Sequence, residues 1–373
     1  MDALMLPLNW QRVRLGDIGK PCMCKRVMKH QTTRYGEIPF YKIGTFGNTA
    51  DAFISKKLFL EYKTKYSFPK KGDILISASG TIGRAVIYDG KPAYFQDSNI
   101  VWIDNDETLV KNDFLFYAYS NVKWNTEYTT ILRLYNDNFR NTLIPLPPLN
   151  EQNAIANILS DLDRYLYALD ALILKKEGVK KALSFELLSQ RKRLKGFNQV
   201  WQRVRLGDIA NYLISNLSAE QITQQGKIKV YDVNNFIGYT DTTFISDKPY
   251  ISIVKDGSVG RVRILPPKTN ILSTMGALIA NHRTTTEFLF YLLSNFDFKN
   301  FTSGSIIPHI YFKDYKEKTI FLPPLNEQSA IANILSALDN EIASLKNKKR
   351  QFENIKKALN HDLMSAKIRV LKK

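Results

Sequence analysis

The sequence predicts an α+β protein with a pseudo-twofold internal repeat. Two similar globular α/β modules are separated by two long helices, which pair as an antiparallel coiled coil. Three observations support this prediction. Residues 10–18 return unchanged as residues 201–209, and residues 146–163 return as residues 322–339 with only two substitutions. Each copy of the later segment leads into a long helical pattern of apolar residues. Such a repeat indicates two copies of one structural unit.

Residues 10–18 begin each unit. The alternation of Val13 and Leu15 predicts a strand, and the following Leu-Gly-Asp-Ile predicts a turn into the next element. The two front segments are 191 residues apart, whereas the two later segments are 176 residues apart. The second unit is therefore 191 − 176 = 15 residues shorter between these markers. We expect the divergent part to distinguish the two copies.

The variable segments, residues 19–145 and 210–321, have the texture of small α+β modules. Short β-type runs are broken by Gly and Asp, as in residues 74–76 and 100–103, and a short amphipathic helix is predicted around Phe114. We expect a mixed or antiparallel sheet in each module. Each module ends in a strand-like run that two prolines stop, because proline cannot donate to a β ladder.

A long helix is expected after each proline pair. Asn150 and Asn326 are predicted helix N-caps, with Glu151 and Glu327 placed favourably near the positive helix end. Apolar residues then recur with 3–4 spacing for more than five heptads, through Leu194 in the first copy and Val370 in the second, with Val179 and Ile355 among them. This spacing is typical of a coiled-coil seam. Each rod should be about 65 Å long, weakened at Gly178 in the first copy.

The predicted domain organisation follows these markers. Residues 1–145 and 197–321 form the globular modules, and residues 146–196 and 322–373 form the helical segments.

The composition favours a polyanionic partner. Lys and Arg number 53 against 35 Asp and Glu, giving a formal charge of +18. Such a field attracts nucleic acid first and anionic membrane second.

The two cysteines, Cys22 and Cys24, are too close together to cross-link a domain with a disulfide and too few for a thiolate metal site. We therefore expect free thiols in a reducing compartment. No signal peptide and no apolar run of about 20 residues is seen. These features predict a cytoplasmic location and no membrane partner.

Motifs of catalysis are missing from the sequence. It has no Gly-x4-Gly-Lys-Ser/Thr loop, no Gly-x-Ser-x-Gly elbow and no His-Glu-x-x-His pair. The proline pairs follow Leu, so they do not form the Asn/Asp-Pro-Pro-aromatic signature of an adenine methyltransferase. We therefore predict a non-catalytic binding protein that has no metal site and binds no cofactor itself.

The complete pattern resembles the specificity (S) subunit of type I restriction–modification systems. The resemblance rests on the two Leu-Pro-Pro-Leu-Asn-Glu-Gln-x-Ala-Ile-Ala-x-Ile-Leu segments leading into helical rods, and on the Gly-Thr/Ser-x-Gly-Arg loop in each dissimilar module. It implies that each module is a target recognition domain for one half of a bipartite, asymmetric DNA target. It also implies that the helices set the spacing and dock two methyltransferase subunits.

Further expectations come from this resemblance. Restriction subunits would join the complex, and S-adenosylmethionine, ATP and Mg would be used by partner chains for adenine-N6 methylation and ATP-driven cleavage. An alternative is a stand-alone coiled-coil protein, structural or nucleic-acid-binding, without enzyme partners. Co-purification of a methyltransferase distinguishes the two hypotheses.

Candidate DNA-binding residues come from three patterns. Arg84 and Arg261 follow the Gly loops, where they contact DNA or simply end a hairpin turn. Arg133 and His309 occupy matching positions before the last strand of each module. The remaining candidates are basic or amide residues of comparable early loops, suited to phosphates and base edges: Lys25, Arg26, Arg34, Gln224, Gln225 and Lys227. The predicted partner-docking and spacer residues are Asn150, Glu151, Gln152, Asn326, Glu327 and Gln328.

Overall fold

The computed structural model describes residues 7–128 and 132–370 and divides into two compact units. The first unit combines the chain up to Leu169 with the chain from Lys348 onward, and the second is Asp170–Asn347. The first unit is therefore built from two separate parts of the sequence, whereas the second unit is one continuous stretch.

The first unit contains a four-stranded sheet, a three-stranded sheet, two two-stranded ribbons and four short α-helices. Its strands are β1 (Gln11–Arg14), β2 (Gly19–Met23), β3 (Ile38–Tyr41), β4 (Phe53–Ile54), β5 (Ile74–Ser77), β6 (Ala85–Ile87), β7 (Tyr94–Phe95), β8 (Ile100–Asn105), β9 (Glu127–Tyr128), β10 (Leu132–Arg133) and β11 (Leu143–Leu146). Its helices are α1 (Leu15–Ile18), α2 (Lys56–Lys65), α3 (Asn112–Tyr119), α4 (Asn136–Arg140) and the first half of α5 (Leu149–Leu188).

The second unit repeats the strands, but within its described residues it has no counterpart of α2, and the 3₁₀ turn Leu206–Asp208 takes the place of α1. Its strands are β12 (Gln202–Arg205), β13 (Ala210–Ile214), β14 (Ile228–Tyr231), β15 (Phe236–Thr240), β16 (Tyr250–Val254), β17 (Val262–Leu265), β18 (Thr269–Ile271), β19 (Met275–Ala280), β20 (Thr302–Ser303), β21 (His309–Ile310) and β22 (Thr319–Leu322). Its helices are α6 (Thr286–Ser294), α7 (Phe312–Tyr315) and the first half of α8 (Leu325–Met364).

The strand order is the same in both units. The four-stranded antiparallel sheet β2-β8-β5-β6 matches β13-β19-β16-β17, and the three-stranded sheet β4-β3-β7 matches β15-β14-β18. In each three-stranded sheet one pair is parallel, β3 with β7 and β14 with β18. The central strands β5 and β16 are fully buried, because the chain covers both of their faces. The predicted duplication and α+β class are confirmed.

The repeated front segment forms a strand that pairs with the last strand of its own module. Val13 of β1 lies opposite Ile144 of β11, and Val204 of β12 lies opposite Ile320 of β22. These ribbons close each module beside the beginning of its long helix.

The long helices begin two residues earlier than predicted, because an N-cap at Asn150 would make Glu151 the first helical residue. α5 starts at Leu149, so Asn150 lies inside the first turn and its Oδ1 accepts from Glu151 N at 2.9 Å. The carbonyl of Pro148 accepts from the backbone N–H groups of both Glu151 and Gln152. Asn326 has the same place in α8, so the predicted Asn N-caps are wrong. The prolines stop the strand, and the carbonyl of the second one begins the helix.

The helices also end earlier than the apolar pattern predicts. Each has 40 residues, about 60 Å, and the backbone turns left-handed two residues after the last helical residue, at Gln190 and Ala366. Val179 and Ile355 belong to the predicted seam, but both are about half exposed, so they lie outside it.

Helix pairing is antiparallel in each unit. In the first unit the tilted rings of Tyr165 and Phe352 pack with their centroids 4.7 Å apart, and the Asp163 carboxylate pairs with Lys356. In the second unit Asp339 pairs with Lys180, at the position 176 residues from the first pair. Among the described residues, no helix is both long and apolar enough to cross a membrane.

Candidate nucleic-acid interface

Loops at one end of the four-stranded sheet bring basic residues together in the first unit. Arg26 follows β2, and its Nε donates to Asp97 Oδ2 at 2.8 Å in the loop that leads into β8. The Arg26 side chain is still 68% exposed, so the ion pair orients it without removing it from solvent. A surface pair of this kind contributes little stability and leaves the guanidinium available for an anion.

The Gly loop lies beside this pair. Gly80 and Gly83 have φ values of +65° and +84°, which favour glycine. A Cβ on Gly83 would lie 2.1 Å from Trp124 Nε1, so an aromatic ring packs directly on this glycine. Arg84 is exposed, and its Nη1 donates to Phe46 O at 2.9 Å. The backbone is therefore a packed hairpin turn, whose arginine also holds the loop after β3.

Arg133 joins the same loops from a distant part of the sequence. Its backbone forms a β-bridge with Ser79, and Ser79 Oγ donates to Asn99 Oδ1 at 2.7 Å. The structure thus gathers Arg26, Arg84 and Arg133 around one set of loops. We call this set, with its equivalent in the second unit, the loop cluster. In the first unit it comprises residues 26, 42–48, 79–84, 96–99 and 133.

The second unit contains an equivalent loop cluster, residues 215–217, 232–235, 255–261, 272–274 and 309. Gly257 and Gly260 have φ values of +83° and +80°, and Phe298 packs on Gly260 as Trp124 packs on Gly83. Arg261 Nη2 donates to Asn234 Oδ1 at 2.8 Å, which is the counterpart of the Arg84 contact.

The two loop clusters differ in their side chains. His309 forms the bridge with Asp256 that Arg133 forms with Ser79. Arg263 occupies the position of Val86, where its Nη1 donates to Asn234 O and its guanidinium lies 5.2 Å from the centre of the Tyr231 ring.

Several residues in or beside these clusters were not indicated by the sequence. They are Asp97, Asn99, Asn234, Asp256 and Arg263. The repeated Gly loop could have identified Arg263, because aligning the two loops places it opposite Val86. No local signal identified the others, since their strands are joined only in the folded sheet.

Other candidate residues lie on a second turn. Thr33 Oγ1 donates to Tyr35 O at 2.7 Å, and Thr223 Oγ1 donates to Gln225 O at 2.6 Å, so the two turns have the same geometry. Arg34 and Gln224 are exposed at the same place in these turns, and Gln225 and Lys227 are exposed nearby. Lys25 Nζ instead lies 5.0 Å from the centre of the Tyr66 ring.

The Glu-Gln pair of the repeated segment is buried. Glu151 is 2% exposed and accepts from Trp10 Nε1 at 3.0 Å and from Arg369 Nε and Nη2 at 2.6 and 2.8 Å. Glu327 is fully buried and accepts from Trp201 and Arg193 in the same way. Hydrogen bonds from an indole and a bidentate guanidinium satisfy each buried carboxylate.

The neighbouring glutamines have an equally internal role. Gln152 Nε2 donates to Leu109 O and Pro147 O, and its Oε1 accepts from Lys111 N. Gln328 makes the equivalent contacts with Arg283 O, Pro323 O and Thr285 N. The prediction that Glu151, Gln152, Glu327 and Gln328 dock a partner is therefore corrected, because these side chains are buried against their own modules. Asn150 and Asn326 remain exposed.

Metal-ligating side chains are not clustered in the part of the chain that the structure describes. No group of three or more His, Cys, Asp or Glu residues there has an arrangement that could hold an ion.

Comparison with known proteins gives a consistent result. The family model of the type I restriction modification DNA specificity domain matches residues 7–176 and again residues 198–354. A Haemophilus influenzae protein assigned as a type I restriction enzyme specificity subunit is 62% identical over 152 residues, which is 40% of each chain. The chain thus matches less than half of that relative. The type I restriction enzyme MjaVIII specificity subunit of Methanocaldococcus jannaschii is 26% identical over 99% of this chain and 95% of its own length.

Solved structures share the fold. The S subunit of a type I restriction–modification system from M. genitalium superposes with a TM-score of 0.63 at 20% identity, covering 96% of this chain and 98% of that one. A chain from a structure of type I system assembly gives a TM-score of 0.57 at 16% identity, with the same coverage. The stand-alone coiled-coil alternative is not favoured by these matches. Because the family model covers both modules and most of the chain, this protein belongs to the type I restriction modification DNA specificity family and is a specificity subunit.

Proposed function

We propose that this chain gives a type I restriction–modification complex its DNA sequence specificity, with each module contacting one half of a bipartite, asymmetric target. One observation carries the proposal. The same loop cluster is built twice on the same strand order, yet Arg263 of the second module stands where the first module has Val86. A repeated scaffold with divergent contact residues suits two different half-sites. In this assignment residues 1–145 and 197–321 are the target recognition domains.

The loop clusters supply the DNA contacts in this proposal. Arg26, Arg84, Arg133, Arg261 and His309 contact phosphates or base edges from the clusters. The flanking residues Lys25, Arg34, Gln224, Gln225 and Lys227 contact the adjacent duplex. With a formal charge of +18, binding should be strongly salt-dependent, because each neutralised phosphate releases counterions.

The helical segments, residues 146–196 and 322–373, set the distance between half-sites and dock the methyltransferase subunits. Asn150 and Asn326 are exposed at the beginning of the two long helices, beside Leu149 and Leu325, which are 37% and 47% exposed. This repeated surface offers two equivalent places for a partner, which supports two methyltransferase subunits for each chain.

The chemistry of the complex belongs to other chains in this proposal. The methyltransferase subunits use S-adenosylmethionine to methylate adenine N6, and restriction subunits use ATP and Mg for cleavage. The chain itself is non-catalytic and acts in the cytoplasm, on DNA and without a membrane.

Co-expression with a methyltransferase subunit from a type I system tests the proposal. We expect the two chains to co-purify, and methylome sequencing should find adenine methylation at a split, asymmetric motif. Replacing Arg263 with Val in the second module should change only one half of that motif. Failure of the chains to associate, or a motif without a gap, contradicts the proposal.

A second experiment tests the spacer. One heptad is inserted in α5 after Leu169 and one in α8 after Asn347, so that both helices lengthen together. We expect the gap to grow by about 10 Å, or about three base pairs, while both half-sites stay the same. An unchanged gap in an active complex contradicts the spacer role.

A further inference from the structure

A histidine–aspartate pair lies in the loop cluster of the second module. His309 Nδ1 lies 2.6 Å from Asp256 Oδ1, and the two side chains are 35% and 29% exposed. An ionised carboxylate only accepts hydrogen bonds, so Nδ1 carries the proton and donates it to Asp256. Nε2 is then the ring nitrogen that remains for a second contact. At the equivalent bridge the first module has Arg133 and Ser79, a pair without a histidine or a carboxylate.

Neighbouring groups hold the imidazole in place. The ring of Tyr311 stacks beside it, with centroids 6.5 Å apart and planes 20° apart. Gly304 directly follows β20 in the β20–β21 hairpin, and a Cβ on this glycine would lie 3.0 Å from His309 Cδ2. The Asp256 carboxylate, the Tyr311 ring and the Gly304 backbone therefore restrict the orientation of Nε2.

The charged surroundings of the pair are mixed. Lys255 Nζ lies 3.9 Å from Asp256 Oδ2, and Lys313 Nζ lies 5.5 Å from the centre of the Tyr311 ring. From β13 the Tyr212 hydroxyl faces Asp256, and burial together with this carboxylate raises the pKa of Tyr212. The titratable and charged groups around His309 are therefore Asp256, Lys255, Lys313, Tyr311 and Tyr212.

We propose that Asp256 positions His309 so that the protonated imidazole donates its Nε2–H to a DNA phosphate. The affinity of the second module for DNA then depends on pH. Arg133 holds the equivalent place in the first module, and an arginine stays charged throughout the physiological range. The two modules would then respond differently to pH, although they share one fold. This inference rests on the proposed function, because it requires that the loop cluster contacts DNA.

The direction of the effect follows from the proton count. Protonated His309 has a donor at both nitrogens and a positive charge, so it pairs with Asp256 and with a phosphate at once. Neutral His309 keeps its Nδ1–H bond to Asp256, but its Nε2 becomes an acceptor and no longer attracts a phosphate. Binding should therefore be tighter when both ring nitrogens of His309 carry a proton than when only Nδ1 does.

The test measures salt dependence, which counts phosphate contacts. The full chain is titrated with a mixed-sequence duplex of about 30 base pairs over a salt series at about pH 6 and pH 8. At the lower pH the slope of log K against log salt should be smaller by about 0.9 in His309→Gln than in the unmodified protein. At the higher pH the two slopes should coincide.

Three further variants make the test specific. His309→Arg should restore the full slope at both pH values, because it copies the chemistry of the first module. Asp256→Asn should reduce the difference in slope between the two pH values, because the carboxylate that orients the imidazole is gone. Arg133→Gln is the matched control, and it should lower the slope equally at both pH values. Thermal melting of each variant verifies that it is folded.

Two outcomes separate this inference from the proposed function. If the unmodified chain binds DNA but His309→Gln leaves the slope unchanged at both pH values, or lowers it equally at both, the inference is wrong. If the unmodified chain shows no salt-dependent binding of the duplex at either pH, the proposed function fails.

Discussion

At the scale of single residues, the buried Glu-Gln pairs explain why the repeated segment is so similar in its two copies. The Glu327 carboxylate accepts hydrogen bonds from Trp201, at the front of its module, and from Arg193, which follows the end of α5. Two distant parts of the chain therefore meet at one carboxylate. A buried charge of this kind is tolerated only when its hydrogen bonds are complete, so each partner is needed by the others.

Glu327→Ala should lower the free energy of unfolding by about 3–5 kcal/mol, because it leaves a guanidinium and an indole N–H without their partner. Denaturant unfolding measures the change. Glu353→Ala is the matched control on the same helix, since Glu353 pairs with Lys349 at the surface and its loss should change stability by less than about 1 kcal/mol. Equal effects of the two substitutions would contradict the role given to Glu327.

The two thiols differ from ordinary cysteines in their reactivity. Burial raises the pKa of Cys24 from its usual 9.0 to about 12, and burial followed by the charge of Asp104 raises the pKa of Cys22. Both thiols therefore stay protonated at pH 8, and a protonated thiol is a poor nucleophile.

We expect Cys24 to resist iodoacetamide at pH 8 in the folded protein and to react once the chain is unfolded. Mass spectrometry of the labelled peptides measures this difference. The raised pKa also means that ionisation opposes folding, so the contribution of this buried thiol to stability is complete below about pH 9 and is lost as pH rises towards 12. Rapid labelling of Cys24 in the native protein would contradict its burial.

At the scale of elements, each long helix is held by side chains of its own module and of the other helix. Tyr117 of α3 donates to Asp163 Oδ2 at 2.8 Å, while Lys356 of α8 pairs with the other oxygen. Burial, and then the hydrogen bond to Asp163, raise the pKa of Tyr117. The same arrangement occurs at Tyr291, Asp339 and Lys180. Register between the helices is therefore fixed by ion pairs as well as by apolar packing.

Gly178 in α5 is an element-scale weakness, because glycine loses more backbone freedom in a helix than alanine does. A Cβ at this position would meet no atom within 4 Å. Gly178→Ala should therefore raise the free energy of unfolding by about 1 kcal/mol.

Gly196→Ala is the control, measured by the same denaturant unfolding. Gly196 is equally open but has a φ of +92°, so alanine there should lower stability by about 1 kcal/mol. A loss of stability in Gly178→Ala would show that this glycine serves close packing.

At the scale of the whole molecule, the end of the chain completes the module at its beginning. Arg369 reaches Glu151 and Asn9, and Leu363 and Met364 belong to the same core as Trp10 and Phe114. The second unit is completed in the same way by Arg193 and Leu187 from the end of α5. The first module therefore depends on a helix segment that lies far away in the sequence, and the second module depends on the helix segment that directly precedes it.

Ending the chain after Met364 should destabilise the first unit and leave the second unit unchanged, because it removes Arg369 from buried Glu151. Hydrogen exchange followed by mass spectrometry can resolve the two units. We expect faster exchange in β1 and β11 and unaltered exchange in β12 and β22. Arg193→Ala should give the opposite pattern, and uniform destabilisation in either protein would contradict the pairing.

Patterns in the sequence are sufficient to predict the duplication, the α+β modules, the proline-stopped strands and the two long helices. Each of these depends on neighbours in the chain: periodic apolar residues, prolines and near-identical repeats specify local structure directly. The sequence also placed Arg84, Arg133, Arg261 and His309 at equivalent positions, because the two copies could be aligned.

The side chains and backbone groups that these residues contact are seen only in the folded protein. The Glu-Gln pairs were predicted to face a partner and are instead buried, since Trp10 and Arg369 lie 141 and 218 residues from Glu151. The loop after β3, the Gly loop and the bridge at Arg133 converge because β5 lies between β8 and β6 in the sheet. Burial and convergence arise from contacts between distant segments, and a local pattern does not encode the distance between them.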